Sequence, residues 1–112
     1  MAFTSWPDLA ARALGGAVVW ANDEFFAAKE NLIKAAPPVF TPATFTDRGQ
    51  ESDGWEARRR RARGPAAASV ADPGFDSAVV RLGSPGLVHG VVVDTAFFLG
   101  NFPPRCSVDG TW

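Results

Sequence analysis

Apolar residues in this chain fall in short runs rich in β-branched and aromatic side chains, cut at intervals by glycine, proline and asparagine. That is the rhythm of short strands joined by turns. The most complete unit runs from Gly83 to Pro104. Gly83-Ser84-Pro85-Gly86 reads as an opening turn, the β-branched run Val88 to Thr95 as a strand, and Gly100-Asn101-Phe102-Pro103-Pro104 as a closing turn. The single histidine, His89, lies in this strand, with a carboxylate, Asp94, at its end and Asn101 in the next loop. By a period of two, His89 shares a face with Val91, Val93 and Thr95, and Asp94 shares the other with Val88, Gly90 and Val92. The two point into one site only if Gly90 forms a bulge.

The same pattern predicts a strand at Ala17-Val18-Val19-Trp20-Ala21, broken by Asn22-Asp23-Glu24, and another over Ser77 to Gly83. The second leads through the Ser-Pro-Gly turn into 88–95, so these two are expected to be neighbours in a sheet. Trp6 to Leu14 reads as one or two helical turns, with Pro7 early and Gly15-Gly16 ending them. Phe25 to Lys34 suits a short helix or a packed irregular loop. Residues 35–52, with prolines at 37, 38 and 42, form an extended connection that Phe40 and Phe45 pin to the core. Residues 55–61 have two readings. As a strand, they place Glu56, Arg58 and Arg60 on one face; as a loop, they are a basic run. Gly64 to Gly74, rich in Ala, Pro and Gly, reads as a flexible loop. Ser107-Val108 suggests a further strand beginning. Short strands, many turns and few helical periods argue an all-β domain with unpaired edges.

Composition narrows this picture. At 112 residues and 46% hydrophobic, with nine Phe, the chain holds material for one domain at most. A net charge of -1 excludes a global field for nucleic acid or an anionic membrane, and the four arginines 58–61 beside Trp55 are too short a basic stretch to reverse that. Runs of apolar residues fall far short of the ~20 that a membrane span needs. One cysteine, Cys106, and an N-terminus without a basic then apolar leader give the expectation of a reducing, cytoplasmic location.

Several segments in order resemble the allantoicase family. They are Leu14-Gly15-Gly16, Asp23-Glu24-Phe25-Phe26-Ala27, Glu30-Asn31-Leu32-Ile33, Asp53-Gly54-Trp55-Glu56 with Arg58 to Arg61, Val80-Arg81-Leu82-Gly83, Gly90-Val91 with Val93-Asp94-Thr95, and Phe97-Phe98 with Gly100-Asn101 and Pro103. The resemblance implies a jelly-roll, galactose-binding-like β-sandwich, present in the family as two repeats. Residues 1–112 look like most of the first repeat, so the sandwich is expected to be incomplete in this chain. Two departures stand out: Ser77 where the family has a Trp, and an expanded loop over 64–74. The implied reaction adds water to the central carbon of allantoate and releases urea, leaving ureidoglycolate. The implied partners are the small-molecule substrate and a second repeat or another copy of the chain, with no nucleic acid and no membrane. The alternative, from a different class, is a non-catalytic module holding a small polar ligand at one end of the sandwich.

Such chemistry asks for a cation to hold the carboxylate, an acid for the departing ureido nitrogen, and a base or metal to activate water. Arginine fits a carboxylate bidentately, which singles out Arg58, Arg60 and Arg81 for substrate binding, with Asn101 to orient ureido groups. Arg81 lies in an apolar strand and is expected to pair with Asp94. Glu24, Asp23, His89 and Asp94 are the catalytic candidates. Asp23 is equally suited to capping the turn that follows it. A lone histidine is more often an ordinary strand residue than a base. No spacing in the sequence marks a metal site, so a divalent metal is left open. Cys106, beside Pro103-Pro104-Arg105, has no evident activating partner and reads as a spectator thiol.

Overall fold

Ala17–Ala21 forms β1 and Ala78–Arg81 forms β4, and the two pair antiparallel, with Ala17 opposite Arg81 and Ala21 opposite Ala78. Between Val18 and Trp20 the register slips by one residue, a bulge at Val19. The bulge breaks the alternation that a strand would otherwise keep, so Val18 is buried at 6% exposure while Val19 and Trp20 both face outward. Two shorter strands, β2 at Phe45–Thr46 and β3 at Gly49–Gln50, close a small antiparallel hairpin inside the segment expected to be an irregular connection. The computed structural model describes residues 2–34, 53–58, 74–100 and 102–112, together with the backbone of 45–46 and 49–50.

No α-helix occurs among the described residues. Three 3-10 turns occur, at Phe3–Ser5, Arg12–Leu14 and Lys29–Ile33, and of these only the second falls in the stretch Trp6 to Leu14 expected to be helical. Gly15 ends the second in the left-handed region at φ 95°, which the absence of a Cβ makes inexpensive. The third resolves the open reading of 25–34 in favour of a single packed turn. It lies against β1, and its Ile33, at 7% exposure, forms with Val18 the buried apolar centre of the described residues. The arrangement is mostly β.

Two expectations need correction. Residues 88–95 are not a strand: among the described residues no ladder bonds form over 82–112, and β4 takes β1 rather than this segment as its neighbour. The chain turns instead onto the N-terminal segment. Gly83 N–H donates to the Leu9 carbonyl at 2.9 Å, Gly86 lies against the Leu9 side chain, and the Phe3 ring comes within 2.7 Å of where a Gly90 Cβ would stand. The two segments run in opposite directions. A β-branched run becomes a strand only when another strand satisfies its backbone groups, and none among the described residues does so here. Ser107-Val108 likewise starts no strand. Of residues 55–61, the structure describes only 55–58. Glu56 makes an isolated antiparallel bridge with Ala27, while residues 59–61 and the loop 64–73 lie outside the described residues, as does Phe40.

Candidate functional site

Asparagine at the end of a strand has an amide that both donates and accepts, and Asn22 uses both ends. Its Nδ2 donates to Asp76 Oδ1 at 2.8 Å, its Oδ1 accepts from Ser77 N–H at 2.9 Å, and its backbone N–H donates to the Ser77 carbonyl at 3.1 Å. This clasp fixes the end of β1 to the start of β4 and so sets the direction in which the next residue, Asp23, leaves the sheet.

Asp23 Oδ1 accepts from Phe25 N–H at 2.9 Å, the turn-capping role that its sequence position allows, and from Arg58 N–H at 3.3 Å. Its Oδ2 takes Arg58 Nε at 2.7 Å as an ion pair. Trp55 Nε1 donates to the Asp23 carbonyl at 2.8 Å, and Glu56 and Ala27 exchange backbone bonds of 3.3 and 3.1 Å. Segment 55–58 is therefore pinned to segment 23–27 at three successive points. The Arg58 guanidinium carbon sits 5.3 Å from the centroid of the Phe25 ring. Phe25 in turn meets Phe26 edge-on, with centroids 5.0 Å apart. Partial burial pushes the Asp23 carboxyl up. The hydrogen bonds from Phe25 and Arg58 and the Arg58 charge outweigh it and hold the group below the ordinary value of 3.8.

Glu24 turns the other way, with Oε2 accepting Lys29 N–H at 3.0 Å and Oε1 lying 3.4 Å from Lys29 Nζ. The ammonium bonds Glu30 more closely, at 2.7 Å, and that bond holds the Glu30 carboxyl low and the Lys29 ammonium high. Asn31 Nδ2 donates to the Gly54 carbonyl at 3.0 Å, and Lys34 pairs with Asp53. Gly54 also receives the Phe98 ring, whose edge lies 2.6 Å from where a Cβ would stand. Phe98 thus brings the 94–98 turn against the segment that carries Trp55 and Arg58. In that turn Asp94 Oδ1 accepts Ala96 N–H at 2.8 Å, Phe98 N–H donates to the Thr95 carbonyl at 3.1 Å, and Phe97 is held at φ 67°, a left-handed conformation rare for so bulky a side chain.

Of the residues singled out from sequence, the fold brings Asp23 and Arg58 into contact from positions 35 apart, with Glu24 in the same turn. His89 belongs to a different cluster. Its ring meets Trp6 at 4.2 Å and 71°, and it makes no bond to Asp94 among the described residues. Arg81 is exposed at the end of β4 and has no ion-pair partner among the described residues, so the expected pair with Asp94 does not form; a solvated guanidinium does not need one. Arg60 and Asn101 lie outside the described residues. Asn22, Trp55 and Phe25 are the positioning groups that residue-by-residue reading missed. The signal for Trp55 was available, since an indole N–H that leaves water seeks an acceptor. No three His, Cys, Asp or Glu side chains converge on a metal-sized site among the described residues, and among these no helix is long and apolar enough to cross a membrane.

The allantoicase repeat family model matches residues 7–112. The chain is 59% identical over 106 residues to a "Probable allantoicase" of Nocardia farcinica, covering 95% of this chain and 30% of that protein. It is 51% identical over 108 residues to a "Probable allantoicase" of Streptomyces avermitilis, and 42% identical over 107 residues to one of Ralstonia nicotianae, in each case covering 96% of this chain and 29% of the relative. No solved structure matches. The chain therefore spans about 30% of the length of the curated relatives it matches. With a family model running from Pro7 to Trp112, and with Asp23 to Ala27, Asp53 to Arg58 and Phe98 all serving the contacts just described, the chain belongs to the allantoicase family.

Proposed function

We propose that this chain is one repeat of a hydrolase that adds water to allantoate and releases urea, with ureidoglycolate as the other product. The observation that carries the reading is the meeting of Asp23 and Arg58 at one end of the β1–β4 sheet in a chain of this family. Allantoate presents one carboxylate and two neutral ureido groups on one carbon, so a site for it needs one firmly held cation among hydrogen-bonding groups. Arg58 supports the first requirement. Arg60, Arg81 and Asn101 are the further groups proposed to meet substrate, and Glu24, Asp94 and His89 are the remaining candidates for moving protons. Asp23 is held ionised by its donors, which makes it a poor source of a proton for the departing nitrogen. The fold proposed for the complete repeat is a jelly-roll sandwich, whose missing strands come from further polypeptide: a second repeat or another copy of the chain. The proposed location is the cytoplasm.

Urea release from allantoate by the purified chain tests the reading, run with added divalent metal, after chelation, and with the second repeat of a relative supplied. Release in any arm supports it, and the metal arms report how water is activated. A folded chain that binds allantoate in every arm and releases no urea in any points to the non-catalytic binding module instead.

A further inference from the structure

An arginine side chain carries five N–H donors in a flat fork, and how many remain for a ligand depends on which edge the protein has already used. Arg58 has its backbone N–H on Asp23 Oδ1 and its Nε on Asp23 Oδ2, and its guanidinium carbon lies over the Phe25 ring at 5.3 Å from the centroid. Among the described residues neither Nη group has an acceptor, and the side chain is 65% exposed while that of Asp23 is only 15% exposed. The Nε edge is occupied, the Phe25 ring lies beside the guanidinium, and the two Nη groups are left in a largely exposed side chain. A free surface arginine loses much rotamer freedom on gripping an anion; this one has lost it already.

We propose that Arg58 is a preset receptor for a carboxylate, which its two Nη groups take in bidentate fashion, and that Asp23 is a positioning residue that aims it rather than an acid or base in the reaction. Phe25 supports the guanidinium from below, and Trp55, by holding the Asp23 carbonyl, keeps both partners in one frame. The ligand class is a small monocarboxylate. The inference rests on the allantoate reading for the identity of that ligand, but the receptor itself does not require it.

The test uses the 112-residue chain with three probes: allantoate, its neutral methyl ester, and glycolate as a carboxylate without ureido groups. Binding is followed by the NMR signal of the Arg58 Nε–H. Both carboxylates are expected to move that signal and the ester to leave it in place. Arg58→Lys, which keeps the charge and loses the fork, is expected to weaken allantoate binding by about tenfold or more. Asp23→Asn keeps an acceptor for Phe25 N–H and loses the anchor for Nε. It is expected to weaken carboxylate binding about as much and, wherever turnover is measurable, to raise KM with kcat changed far less. A kcat loss of about a hundredfold or more with KM unmoved would make Asp23 an acid or base and overturn the assignment. Allantoate binding equally well to the folded Lys variant would overturn the receptor. Glycolate bound through Arg58 with allantoate ignored leaves the receptor standing and defeats the allantoate reading alone.

Discussion

Donors from Phe25 and Arg58 converge on the Asp23 carboxylate, and because they hold its pKa below 3.8 in the folded chain they tie stability to acidity. A carboxyl whose folded pKa is depressed contributes stability that is present in full above its unfolded value and is lost as pH falls through the folded one. The loss therefore begins near 3.8 and completes below it. Asp23→Asn is expected to be less stable than the parent at about pH 6, with the difference closing as pH falls toward about 2; urea denaturation across that range reads it. Sequence allowed the capping role of Asp23 to be read, because it needs only a neighbour two residues on. The pairing with Arg58 was open, because four arginines stood in a row and only the approach of two distant segments selects one. Arg81 misled for the opposite reason: an apolar strand was taken to be a buried one, and β4 is largely exposed.

At the scale of elements, the contact between Gly54 and the Phe98 ring joins the turn at 94–98 to the site-bearing segment, and it leaves no room for a methyl group. Gly54→Ala is expected to cost about 1–3 kcal/mol by overpacking, and Phe98→Leu in the same chain to recover part of it; thermal melts of the two single variants and the double variant measure the coupling. The Asn22 clasp makes a second prediction. Asn22→Ala removes two exposed side-chain bonds between the ends of β1 and β4 and is expected to cost about 1 kcal/mol by chemical denaturation. Both strands were legible from their β-branched and aromatic content, but which strand sits beside which was not. Their pairing is with each other, whereas local reasoning joined the second to the run that follows it. The bulge at Val19 was equally hidden, since an inserted residue has no signature in a run of five apolar side chains.

At the scale of the whole molecule, the run from Leu87 to Leu99 leaves Leu87, Val88, Val91, Val92, Val93, Phe97 and Leu99 exposed, seven apolar side chains in one stretch of chain open to water. Purified alone, the chain is expected to self-associate and to bind a hydrophobic dye such as ANS, and joining it to a second repeat is expected to suppress both; sedimentation and dye fluorescence read the two effects. The β1–β4 pairing has a separate consequence in time. The partner of β1 ends about sixty residues later, and every one of those residues must be synthesised first. At the pace of translation that is roughly 3–12 s during which Val18, Val19 and Trp20 have no strand to pair with. β1 thus waits on about sixty further residues before the strand that pairs with it exists.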